Sequence, residues 1–212
     1  MALEPLTPER RRQQTRDYLL QAAAQVFAER GFHGASLDQV AAAAGFTKGA
    51  VYSNFKNKED LFLALLEANQ EREMEGLRGI LESSDIPPEA RLPDFVRLIR
   101  TQTKELGDDW DILYQEFALY AMRNPAAREK LAELEAVTIE KVAQLIEAER
   151  ARQGIEPLER PEHVARIITA LFNGISIMRA LRIEAVDEAF LETVMSFLAQ
   201  GLLPPPAPST DG

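Results

Sequence analysis

The stretch from Ser36 to Lys58 stops and restarts a helix repeatedly, and few folds accommodate that. Ser36-Leu37-Asp38-Gln39 reads as a capping box: the Ser36 hydroxyl can accept from the Gln39 amide while the Gln39 side chain reaches back. A very short helix follows, from Leu37 to about residue 43. Gly45 breaks it, because glycine takes the left-handed backbone that ends a helix without a Cβ penalty. Thr47 caps the next helix, which ends near Asn54. Asn57 then caps a long one, with Glu59 and Asp60 favourably placed in its first turn. Two short helices joined by a tight glycine turn describe a helix-turn-helix.

The rest of the chain is consistent with an all-α fold of about nine helices. Ala, Leu, Glu, Arg and Gln dominate, and no β-branched alternation appears. Thr7-Pro8 opens a first helix that runs to Arg30, where Gly31 ends it. After Ile86-Pro87-Pro88, helices are expected at about 89–106, 109–123, 126–153, 161–183 and 187–201, punctuated by Gly107, Asn124-Pro125, Gly154 with Pro157, and Val186-Asp187. The organisation read from this is a head over residues 1–56, a helical body over 57–203, and a Pro-rich, disordered tail over 204–212.

Charge separates the same regions. Residues 1–60 hold eight basic and seven acidic residues, +1, whereas the remainder holds 16 basic and 27 acidic, −11. A locally basic end on an acidic chain of net charge −10 suggests a binding end and a solubilising body. With no cysteine, disulfides, thiolate catalysis and cysteine metal sites are excluded. The first residues carry no apolar core of a secretory signal, and runs such as LFLALL are too short to span a bilayer. A soluble, cytoplasmic protein without a membrane partner is expected.

Within the helix-turn-helix, Ala41 sits four residues before Gly45, where a bulky side chain would hold the two helices apart. Val40, Phe46, Val51 and Phe55 are the apolar residues that would fix the crossing. With Val51 and Phe55 inward, Lys48, Gly49, Tyr52 and Ser53 face mainly outward, as the N-terminal residues of a recognition helix should. Gly49 permits close backbone approach, and Lys48 and the Tyr52 hydroxyl suit phosphate. Lys58, at a helix start, would add positive charge to free N–H groups.

The run ASLDQVAAAAGFTKGAVYSNFKNKEDLF resembles the DNA-binding signature of the TetR family of transcriptional repressors. The match covers residues 10–62 in order and spacing, most clearly at Gly45-Phe-Thr-Lys-Gly-Ala-Val-Tyr-Ser-Asn-Phe and Lys58-Glu-Asp-Leu-Phe. Asn54 departs from it, standing where the family often has an aromatic residue or histidine. The resemblance implies that Thr47, Lys48, Tyr52 and Lys58 contact phosphates, that Gly49, Ala50 and Ser53 lie nearest base edges, and that Ser36 and Leu37 set a helix N-terminus on the DNA backbone. It implies double-stranded DNA with a palindromic operator as partner, a small-molecule effector held in the body, and a homodimer.

Two features of the body bear on those roles. The helix at 109–123 carries Trp110, Leu113, Tyr114, Phe117 and Tyr120 on one stripe and Ile112 and Leu119 almost opposite, so neighbours are expected on both sides. Trp110, Tyr114, Phe117 and Phe172 are candidate walls of an effector pocket, or simply core. Arg179 falls within the apolar arc of the helix at 161–183. It therefore needs an anionic partner, either a protein carboxylate or an anionic, partly hydrophobic effector. Ala170, Gly174, Ile177 and Leu181 on a second stripe, with Phe190, Val194 and Phe197 on the last helix, are candidates for a dimer interface, with intrachain core as the alternative. Ligand in the body would then move the helix at 57–82 as a lever and alter the spacing of the two heads. An enzyme is disfavoured: His33 and His163, the only histidines, lie on different elements, and neither a zinc-protease, a P-loop nor a dinucleotide signature occurs. No cofactor is expected. An adaptor whose basic end merely solvates is a further alternative, as is activation in place of repression.

Overall fold

The structure, a computed structural model, describes residues 7–82, 94, 109–183 and 186–202. Eight helices lie within them: α1 (Pro8–Gly34), α2 (Leu37–Ala44), α3 (Lys48–Asn54), α4 (Lys58–Glu82), α5 (Asp109–Arg123), α6 (Pro125–Arg152), α7 (Pro161–Ala180) and α8 (Glu188–Leu202). The helix expected at 89–106, residue 94 excepted, and the tail at 204–212 fall outside the described residues.

The chain forms two compact units. One comprises residues 1–69 and 112–131, the other 70–111 and 132–212. Packing thus divides the chain elsewhere than at residue 56, where the sequence reading placed its boundary. The first half of α4 belongs with the head because its Leu61, Phe62, Leu65 and Leu66 are all buried there.

In the first unit, α1 begins as its sequence requires: the Thr7 hydroxyl accepts from the Arg10 amide at 3.2 Å, and Pro8 occupies the first turn. Leu19, Ala23, Val26 and Phe27 form its buried face. The helix breaks at Gly31, whose φ of 68° and ψ of 169° lie in a region open essentially to glycine. A Cβ there would also come within 2.9 Å of a Glu116 carboxylate oxygen, so that side chain would have to shift. That oxygen accepts the amide of Phe32 at 2.6 Å, an N–H the break would otherwise leave without a helical partner. Phe32 then enters an aromatic core. Its ring lies 5.2 Å from Phe62, 5.0 Å from Phe117 and 5.0 Å from Tyr120, and Phe27 meets Phe62 edge-on at 4.9 Å. Each such pair is worth about 0.5–1.5 kcal/mol beyond its area burial.

The second unit contains the second half of α4, the first residues of α5, the longer part of α6, α7 and α8. Ile175 and Leu191 are its buried apolar pair, with Phe172, Val186, Phe190, Val194 and Met195 packed around them. Helix α7 ends at Ala180, earlier than the expected 183, because Arg182 takes a left-handed φ of 54° and the Ile183 amide turns back to the Met178 carbonyl at 3.0 Å. At the end of α6 a charged clasp replaces apolar contact. The Arg150 guanidinium donates to the carbonyls of Glu156 and Leu202, while Glu149 takes Arg152 and Gln153. Glu149 and Arg150 are both buried.

Candidate nucleic-acid interface

Local sequence builds the interface. The capping box at Ser36 is complete: the Gln39 amide donates to the Ser36 hydroxyl at 3.3 Å, and the Ser36 amide donates to the Gln39 side-chain oxygen at 2.9 Å. At the other end of α2, Gly45 adopts φ 70° and ψ 22°. The Phe46 amide reaches the Ala41 carbonyl at 3.0 Å and the Gly45 amide that of Ala42 at 3.3 Å, the paired bonds of a Schellman motif. Two residues later Thr47 accepts from the Ala50 amide at 3.2 Å and starts α3. The crossing is held by Val40, Ala41, Val51 and Phe55, all buried. The Arg16 guanidinium lies 4.7 Å above the Phe55 ring, and Tyr18 lies 6.4 Å from Phe46, so α1 braces the pair.

With Val51 inside, the other face of α3 is open. Thr47, Lys48, Gly49, Tyr52 and Ser53 are exposed, and Ala50 is partly so. Lys48 and Tyr52 stand one turn apart on one face. The Ser53 hydroxyl donates to the Ala50 carbonyl at 2.9 Å, and Asn54 does the same through its side-chain amide at 2.8 Å. Leu37 is buried, so of that residue only the backbone, at the N-terminus of α2, is offered to a partner.

The two lysines are not loose. Lys48 Nζ lies 2.5 Å from Asp38 Oδ2, which brings the first turn of α2 beside the start of α3. The hydrogen bond to Asp38, and then its charge, raise the Lys48 pKa and keep the ammonium charged. Lys58 Nζ donates to the His33 carbonyl at 3.1 Å and sits 4.7 Å over the Phe32 ring. Lys58 is thereby tied to the end of α1 instead of standing free at the start of α4. Neither tether has a signal in the sequence, because each partner lies on another element. The start of α4 behaves as expected: the Asn57 side chain accepts from the Asp60 amide at 2.8 Å.

The surface so formed presents a helix N-terminus, two ammonium groups, hydroxyls and a glycine on a short helix, and its chemistry suits a polyanion with readable edges. The comparisons with known proteins agree. Residues 19–65 match the family model described as bacterial regulatory proteins, tetR family. Residues 88–204 match that of the BetI-type transcriptional repressor, C-terminal. The chain belongs to the TetR family of transcriptional regulators.

TetR-family relatives extend the match at different lengths. The transcriptional activator FasR of Mycolicibacterium smegmatis is 37% identical over 73 residues, 34% of this chain and 33% of that protein, so the chain spans about a third of its length. The regulator UidR of Escherichia coli is 28% identical over 163 residues, 77% of this chain and 80% of that protein. Among solved structures, GusR of Salmonella enterica superposes with a TM-score of 0.67 at 26% identity, covering 95% of this chain and 97% of that one. The all-α fold and the helix-turn-helix head are those of a DNA-binding TetR-family regulator. Among the described residues no helix is long and apolar enough to cross a membrane, and no group of three acidic or histidine side chains could hold a metal.

The effector candidates fall in both units. Tyr114 and Phe117 fall in the first unit; Trp110, Phe172 and Arg179 fall in the second. Phe117 is fully buried against Phe32, Phe62 and Tyr120, so its ring serves the core of the head instead of lining a pocket. Phe172 packs on Ile175 and Leu191. Arg179 donates to Asp111 Oδ2 at 2.9 Å, a protein carboxylate that meets its need for an anion. The dimer candidates divide too. Phe190 and Val194 pack on the intrachain core, whereas Ala170, Ile177, Leu181 and Phe197 are exposed and Gly174 is partly so. Ile112 and Leu119, expected to be enclosed, are 43% and 59% exposed, because α5 meets its own chain through the opposite stripe.

Proposed function

We propose that this chain is a homodimeric, ligand-released repressor that docks α3 in the major groove of a palindromic operator. The observation that carries the reading is the polarity of α3: Val51 has no exposed surface, while Lys48, Gly49, Tyr52 and Ser53 face outward. Lys48, Thr47, Tyr52 and Lys58 would take phosphates, Gly49, Ala50 and Ser53 would lie at base edges, and Ser36 and Leu37 would offer the N-terminus of α2.

The exposed apolar stripe of α7, with Ile167, Ala170, Leu171 and Ile177, supports the dimer, as do Leu181 just past its end and Phe197 on α8. Such a stripe is costly in water and is stabilised by covering it with its own copy. Two heads set about 34–36 Å apart would then meet successive major grooves on one face of the duplex.

Release by an effector would act through the second unit. Arg179 and Asp111 form an ion pair that an anionic effector would have to exchange, with Trp110 and Phe172 as the candidate apolar walls. Helix α4 contributes residues to both units and is the candidate lever. An effector binding the released form more tightly by about 1–3 kcal/mol would suffice for typical linkage.

The test is binding of the full chain to duplex DNA from the region flanking its own gene, at several salt concentrations. Affinity for a palindromic segment well above that for random duplex, with two chains per site, is the expected result. Equal, salt-insensitive binding to both would overturn the reading.

A further inference from the structure

Asp38 has no role in the interface as described, yet it holds the ammonium at the start of the candidate recognition helix. Its carboxylate is in the first turn of α2, 2.5 Å from Lys48 Nζ. The Lys48 side chain is 69% exposed and that of Asp38 46%, so the pair is open to solvent and to any approaching anion. Exposed pairs of this kind are weak and exchange easily. Paired, however, the two charges present a dipole, whose attraction for a distant phosphate falls off faster than that of a free cation.

Contact with a phosphate then requires an exchange. The phosphate oxygen is as good an acceptor for Lys48 as the carboxylate is, but the exchange leaves Asp38 uncompensated beside a polyanion. Backbone-only binding depends on the number of phosphates neutralised. Binding at a specific site adds contacts to base edges, which carry the sequence information. A carboxylate at this place subtracts from the first contribution and leaves the second untouched.

We propose that Asp38 is a specificity-determining residue: it occupies Lys48 in the free protein and removes one phosphate contact from binding that rests on the DNA backbone alone. The inference rests on the reading of α2 and α3 as the duplex-binding face.

The probe is a labelled random-sequence duplex of about 30 base pairs, titrated with the full chain across a series of potassium chloride concentrations. Asp38→Asn is expected to tighten binding roughly five- to tenfold near ~0.1 M salt and to steepen the salt slope by about 1. Lys48→Gln should abolish the gain in the Asp38→Asn background. Asp38 also supplies negative charge to the first turn of α2, so Asp38→Glu, which keeps that charge, serves as a second variant and should retain the wild-type slope. Unchanged or weaker binding by a folded Asp38→Asn variant would overturn the proposal, as would a gain that survives Lys48→Gln. A wild-type chain that shows no salt-dependent binding to any duplex would remove the duplex-binding reading itself, a result distinct from all of these.

Discussion

In the first unit, what is hidden is large and apolar; in the second, much of what is hidden is charged and much of what is apolar is not hidden. The largest fully buried side chains among the described residues are Phe27, Phe32, Phe55, Phe62, Phe117, Leu19, Leu61, Leu66, Leu113, Val40 and Val51, and all belong to the first unit. The second unit buries Asp111, Glu149 and Arg150, and leaves Ile167, Ile177, Leu181 and Phe197 exposed. The buried charges are satisfied: among the described residues no buried side-chain nitrogen or oxygen lacks a partner. The contrast separates two tasks. A head that must hold two short helices at a fixed crossing needs dense, shape-specific packing. The body leaves Ile167, Ile177 and Leu181 in water, the stripe that the proposed dimer would cover.

Removing a keystone of the head should have the largest effect. Phe62 touches Phe27, Phe32 and Phe117, so Phe62→Ala deletes the centre of the aromatic core and should cost about 3–5 kcal/mol. Chemical denaturation checks it. A loss no larger than that of an exposed substitution would mean the head is not the densely packed unit described.

The body should respond differently, in association before stability. Phe197, 71% exposed, should tolerate Asp in an isolated chain but not in an apolar seam. Phe197→Asp should weaken the proposed dimer by about 2 kcal/mol or more, roughly thirtyfold in its dissociation constant. Sedimentation equilibrium at several concentrations reads this directly, and an unchanged dimer would move the interface elsewhere.

A third variant probes the turn instead of the core. Nothing lies within 4 Å of a Cβ built on Gly45, so Gly45→Val meets no clash, only the strain of φ 70°. That strain is about 1–2 kcal/mol, or relaxes by tilting α3. Thermal melting and duplex affinity together check it, and wild-type values for both would refute it.

How much of this was legible in the sequence follows from the range of each interaction. The caps at Thr7, Ser36, Thr47 and Asn57 and the stop at Gly45 act over three or four residues, and the structure has each as the sequence implied. Helix faces were legible, but not what covers them. The α5 stripe bearing Phe117 was identified, yet periodicity did not distinguish a pocket wall from head core, and Ile112 and Leu119 proved to be exposed. Interactions across long separations had no sequence signal. Glu116 accepts the Phe32 amide from 84 residues away, and Asp111 meets Arg179 from 68 away. Lys48 is exposed and Lys58 partly so, but their tethers to Asp38 and the His33 carbonyl depend on how four helices pack.

The smallest predicted effect tests whether the head's one-sided chemistry extends to its polar contacts. Tyr120, whose ring joins the aromatic core, donates its hydroxyl to Glu59 at 2.6 Å. That hydrogen bond is the main reason the Glu59 pKa lies below its ordinary 4.5, with the Lys58 and Lys130 charges adding to it, and it raises Tyr120 above its ordinary 10.0. A carboxylate with a depressed folded-state pKa stabilises the protein fully above its unfolded value and loses that contribution as pH falls through the folded value. Tyr120→Phe keeps the ring and removes the bond. It should therefore cost about 1 kcal/mol or less near neutral pH, since the carboxylate is largely solvated. The difference from wild type should shrink as pH falls below about 4.5 and Glu59 takes up its proton. Melting both proteins across that range measures it, and a gap that stays constant with pH would show that the ring's packing, and not the hydroxyl's bond, had been disturbed.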